Sequence, residues 1–122
     1  MMRLGVLAAA GAVLGSALRY AISVNITASV HGVFIYATLA VNLIGALLIG
    51  LLARSANIMA SEARRHFLIT GVLGGFTTFS ALAVETVQLA AKNLFLAVAY
   101  ILITFAGGLL ATTVGYGNGK QS

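Results

Sequence analysis

Cysteine, proline and tryptophan are all missing from this chain of 122 residues. Without cysteine there is no disulfide framework and no thiolate metal site, and the redox compartment is left open. Without proline, any break in a helix falls to other residues. Charge is nearly as scarce, at 7% of residues, and the only acids are Glu62 and Glu85. A chain that is 61% hydrophobic with so few charges is not an ordinary soluble domain. Its net charge of +5 comes from seven Lys and Arg that fall mainly between apolar runs, a pattern of membrane topology signals rather than of a nucleic-acid surface. A phosphate-binding loop, a G-x-S-x-G turn and a paired His–carboxylate site are absent too, so the sequence offers no enzymatic constellation.

What is present is apolar sequence in four runs, which predicts an all-α membrane protein with a single domain of four spans at residues 4–24, 33–53, 67–91 and 94–116. The first run outlasts the apolar core of a signal peptide and is expected to be retained. It holds Gly11-x-x-x-Gly15, a spacing that lets helices approach closely, and Arg19, which must either snorkel to the interface or pair within protein. The connector 25–32 is polar, and its His31 has no second ligand type at metal-binding spacing. In the second run Asn42 stands near the centre, where its amide must find partners inside the bundle, as an interhelical tie or as a pore-lining group. Residues 54–66, RSANIMASEARRH, read as an interfacial loop with a short helix capped near Ser61, and the tail GNGKQS reads as flexible.

The third run is the one ill suited to regular helix. Within residues 71–80, GVLGGFTTFS, Gly71, Gly74 and Gly75 permit unusual φ and ψ, and Phe76–Phe79 are aromatic or β-branched. A kink or unwinding at mid-membrane is expected, and freed backbone groups at that depth must face a partner, an ion or water. Glu85 lies beyond the break, where an acid inside a bilayer is a functional suspect, with a paired or interfacial carboxylate as its other reading. In the fourth run Thr104, Thr112 and Thr113 are hydroxyls of the kind that often bond their own helix. Four helices of this length leave little room for a pore within one subunit, so oligomerisation is expected.

Three segments in order, GAVLGSALRY at 11–20, TLAVNLIGALLIG at 38–50 and GVLGGFTTFS at 71–80, resemble the Fluc (CrcB) family of small fluoride channels. The resemblance spans essentially the whole chain. It implies an antiparallel dimer with two narrow pores that passively exports fluoride across the cell's inner or plasma membrane. It also implies a structural Na⁺ held at the dimer centre by carbonyls of the broken third helix. By motif position it makes Asn42 the pore amide, Phe79 the pore phenylalanine and Ser80 a neighbouring hydroxyl. Gly74 and Thr77 become the carbonyl donors to sodium, and Arg19 a structural arginine. The chemistry is reasonable, because fluoride is a strong hydrogen-bond acceptor and amide, hydroxyl and phenyl edges can replace its water.

The chain departs from the family pattern TTFSTF in reading TTFSAL at 77–82, which replaces a hydroxyl by Ala81 and the second phenylalanine by Leu82. Charge placement is also lopsided: Arg3, Arg54, Arg64, Arg65 and Lys120 fall on the side of the termini, and Arg19 and Lys92 on the other. That bias favours one orientation, whereas an antiparallel homodimer inserts both ways. Both departures raise the alternative of a non-conducting subunit in a heterodimer with a related chain. A rival of another class is a small proton-coupled exporter of lipophilic cations, which would need a membrane-embedded acid. The first span has none, and only Glu85 would serve.

Overall fold

The computed structural model describes residues 2–117. Among them there is no strand, and four stretches are long and apolar enough to cross a membrane: Met2–Asn25, Ile35–Ala53, Glu62–Lys92 and Leu94–Gly117. About 20 helical residues suffice to cover the ~30 Å hydrocarbon core of a bilayer. The first span is α1 (Met2–Asn25) and the second α2 (Ile35–Ala53). The third is assembled from α4 (Glu62–Arg64), a π-helical segment (Arg65–Leu73), α5 (Gly74–Phe76) and α6 (Ser80–Lys92), and the fourth is α7 (Leu94–Gly117). Gly117, expected in the tail, is the last residue of α7. The rest of the tail, with Lys120, lies outside the described residues.

Short polar devices set the connections. Between α1 and α2, Val30 and Val33 exchange backbone hydrogen bonds of 3.0 and 2.9 Å around His31 and Gly32, whose φ angles of 52° and 81° suit a two-residue hairpin turn. His31 is exposed there. After α2, Ser55 caps a one-turn helix, α3 (Ala56–Met59), by accepting from the Ile58 N–H at 3.3 Å. Ser61 caps α4 in the same way through the Arg64 N–H.

α1 packs along the π segment and α5, while α2 packs mainly on α7, which also contacts α6. The first of these contacts explains Gly71 and Gly75 of the third span. A Cβ on Gly71 would lie 2.6 Å from the Ala8 carbonyl oxygen, and one on Gly75 would collide with the backbone of Ala12. The expectation that these glycines unwind the helix is corrected: Gly74 is helical (φ −63°, ψ −38°), and Gly32 alone among the described glycines has positive φ. Gly71 and Gly75 are small because α1 needs the space.

Little of the apolar sequence is hidden. The buried cluster comprises Val33, Leu82, Leu89, Ala97 and Tyr100, while Phe95, Leu109 and Val87 are among many large apolar side chains left at least 70% exposed. Helices apolar all round with an apolar exterior are what a bilayer requires of its solutes.

Candidate functional site

The helical path of the third span is left at Thr77 (φ −79°, ψ 157°) and resumed at Ser80. Residues leaving a helix release carbonyls and amides that need partners in an apolar setting. Asn42, on the facing side of α2, supplies both partners for Thr78. Its Oδ1 accepts from the Thr78 N–H at 2.9 Å, and its Nδ2 donates to the Thr78 carbonyl at 3.0 Å. The Thr78 hydroxyl then accepts from the Ala81 N–H at 3.1 Å, serving the start of α6, and lies 3.3 Å from the Ser80 hydroxyl. Asn42 is therefore an interhelical tie, with one amide N–H left over.

Two carbonyls lose their ordinary helical donors in this arrangement. The N–H four residues after Gly74 belongs to Thr78, which is turned to Asn42, and the N–H four residues after Thr77 belongs to Ala81, which is turned to the Thr78 hydroxyl. Thr77 itself stays tied to the preceding turn, its N–H and its hydroxyl both donating to the Leu73 carbonyl at 3.0 Å. Between the two, the Gly75 carbonyl accepts from Arg19 Nε at 3.2 Å and from the Ser16 hydroxyl at 3.4 Å. Of the two readings of Arg19, pairing within protein is the one observed, at the level of the interruption.

Two cavities flank Thr78. One, of ≈ 380 Å³, is walled by Asn42, Thr77, Phe79, Leu82, Thr104 and Thr112 among others. Phe79 is 71% exposed, and Ser80 is exposed beside it. Leu82, at the position of the missing phenylalanine, is 4% exposed and belongs to the apolar cluster as well as to the cavity wall. The other cavity, of ≈ 200 Å³, lies between Arg19, Ser23, Thr38, Ala81 and Glu85. There Glu85 accepts from the Thr38 hydroxyl at 2.8 Å and from the Tyr100 hydroxyl at 2.7 Å, so of its two readings the paired carboxylate is the one observed.

Sequence reasoning missed some of these groups. Thr112 and Thr113 both spend their hydroxyls on carbonyls, Thr113 on Leu109 of its own helix as expected and Thr112, against expectation, across on Ala46 of α2. Thr104 does not: its hydroxyl is buried, has no partner among the described residues, and lines the larger cavity with Asn42 and Phe79. Thr38 was signalled only by standing four residues before Asn42, on the same face of α2. Tyr100 carried no sequence signal beyond being a polar tip in an apolar run.

Residues 6–116 match the family model described as CrcB-like protein, Camphor Resistance (CrcB). The chain is 39% identical over 115 residues to a fluoride-specific ion channel FluC of Chloroflexus aurantiacus, covering 92% of this chain and 91% of that protein. It is 39% identical over 118 residues to one of Agrobacterium fabrum, covering 94% of each, and 42% identical over 111 residues to one of Flavobacterium psychrophilum, covering 88% and 89%. With four membrane-capable helices and a match along almost its whole length, the chain belongs to the CrcB family.

Proposed function

We propose that this chain is a fluoride-selective channel subunit, a multi-pass protein of the plasma membrane that lets fluoride leave the cytoplasm passively and so reduces its toxicity. The observation that carries the reading is the exposed pair Phe79 and Ser80, held by the Asn42–Thr78 tie at the edge of a cavity that also holds the unpartnered Thr104 hydroxyl. The spare Asn42 N–H, the Ser80 and Thr104 hydroxyls and the positive edge of the Phe79 ring are all suited to a small hard anion stripped of water. Neutral HF crosses lipid and dissociates inside, and an interior-negative potential drives the anion out with about 2.3 kcal/mol per 100 mV.

The working assembly is an antiparallel dimer in which the interruption of the third span lies at mid-membrane. The open cavity and the 71% exposure of Phe79 support it, since both leave a wall for a second copy to supply. The carbonyls of Gly74 and Thr77 suit a structural Na⁺, being neutral hard oxygens without their ordinary donors, and a bound cation would add positive potential near the anion path. Arg19 positions the Gly75 carbonyl between them. Glu85, already tied to Thr38 and Tyr100, gives the proton-coupled exporter little support.

The test is efflux from liposomes containing this protein alone. Fluoride-loaded vesicles should empty under a potassium diffusion potential and chloride-loaded ones should not. Equal retention of both ions by correctly inserted protein would sink the homodimeric reading and favour the heterodimeric one.

A further inference from the structure

The end of the bundle that carries the termini is cationic in a way that the channel chemistry does not use. Arg3 is exposed in the first turn of α1, which packs against α4, and Arg64 and Arg65 stand where α4 passes into the π segment. The two loop arginines are oriented by neutral oxygens. Arg64 Nη1 donates to the backbone carbonyl of Asn57 at 3.1 Å and to its side-chain oxygen at 2.6 Å, and Arg65 Nη1 donates to the Met59 carbonyl at 2.6 Å. Nothing else among the described residues takes their Nε and Nη2 donors, so each guanidinium keeps an unused edge. The serine caps at Ser55 and Ser61 hold the loop as two short helices, and Met59 is 39% exposed between them. Elsewhere the picture differs: Arg19 is turned inward on Gly75 at the interruption, and Lys92 is the exposed cation at the far end of the bundle.

We propose that this loop is a platform for anionic phospholipid, with the headgroup phosphate seated on Arg3, Arg64 and Arg65 and acyl chains lying against the apolar exterior below them. The occupant follows from position and chemistry together. The arginines sit at the boundary where α2 has ended and the third span begins, so the nearest phosphate is a lipid's. Planar guanidiniums with free donors recognise phosphate in a paired, forked manner, and a headgroup that lacks choline's compensating cation leaves the phosphate charge uncancelled beside them. Apolar side chains flanking the cations give the acyl chains a place that a soluble anion cannot exploit. This inference rests on membrane insertion alone and is independent of fluoride conduction.

The experiment is native mass spectrometry of the detergent-purified protein incubated with equal amounts of phosphatidylglycerol and phosphatidylcholine carrying the same acyl chains. The protein should retain phosphatidylglycerol preferentially, and each arginine removed should lower that preference about fivefold. R64Q/R65Q should therefore lose most of it with helicity by circular dichroism unchanged, whereas K92Q should keep it. If R64Q/R65Q fails to fold, Arg3→Gln decides, because Arg3 donates no hydrogen bond within the described chain. Three outcomes would each overturn the proposal: equal retention of the two lipids, an undiminished preference in the folded arginine variants, or an equal loss in K92Q. Displacement of the lipid by the same concentration of glycerol 3-phosphate would also overturn it, by showing a site for soluble anions.

Discussion

Asn42 and Thr78 meet as two backbone strands would, with the side-chain amide of one taking both the N–H and the carbonyl of the other at 2.9 and 3.0 Å. A single side chain thereby satisfies a residue that has left the helix. Asn42→Leu removes both bonds and strands two part-buried polar groups, at up to about 1–3 kcal/mol each. The variant should unfold at a markedly lower temperature than the parent and should not release fluoride from liposomes. Asn42→Asp keeps the bond to the Thr78 N–H but sets a carboxylate against the Thr78 carbonyl and the anion path. It should stay closer to the parent in thermal stability than Asn42→Leu while conducting no better. Parental stability in both variants would mean that the tie is not made in the membrane.

Two neighbouring glycines should respond differently to alanine. On Gly74 a methyl would come no nearer than 3.9 Å to the Ile69 carbonyl oxygen, whereas on Gly75 it would collide with Ala12 backbone. Both lie in helical backbone, so Gly74→Ala should be neutral or stabilising by up to about 1 kcal/mol. Gly75→Ala must push α1 away and should cost roughly 1–3 kcal/mol. Paired thermal melts of the two variants check this, and a larger loss in Gly74→Ala would contradict the packing described.

The Glu85 carboxylate joins α2 to α7 through Thr38 and Tyr100. Hydrogen bonds to a charged acceptor contribute about 1.5–3 kcal/mol, so Tyr100→Phe should destabilise by an amount in that range. A double-mutant cycle of Tyr100→Phe with Glu85→Gln should show coupling of at least about 0.5 kcal/mol, and strictly additive losses would deny the contact.

Orientation separates a homodimer from half of a heterodimer. If the chain pairs with itself antiparallel, a C-terminal tag should be found on both sides of the membrane in similar amounts. Turning Arg19 inward leaves Arg3, Arg54, Arg64 and Arg65 against Lys92 among the described residues, a bias favouring termini in the cytoplasm. Arg64→Ser with Arg65→Ser should shift the tag distribution slightly for a dual-topology chain and strongly for one of fixed topology. Protease protection of the tag in intact cells reads the difference.

The four spans were legible because hydropathy over some twenty residues depends on composition alone. The cap at Ser61 was legible because its acceptor and donor are three residues apart. The partner of Asn42 was not, since it lies 36 residues away on another span, and its bonds go to backbone, which has no letter in the sequence. Glu85 could be marked as suspect for its rarity, but Thr38 and Tyr100 were brought to it by packing that one sequence does not record. The glycines illustrate a subtler failure. Their presence was informative, but close approach and unusual dihedrals call for the same residue, and here the former explains Gly71 and Gly75.

The exposure of Phe79 bears on the life of the protein before it is assembled. A phenyl ring 71% uncovered by its own chain takes its rotamer from whatever docks beside it, so one subunit diffusing in the bilayer has the ingredients of a filter without its shape. If a second copy completes the pore, as proposed above, newly made copies pose no electrical hazard to the cell. A leak of small ions would then begin only when two halves meet, in the same encounter that makes the wall selective.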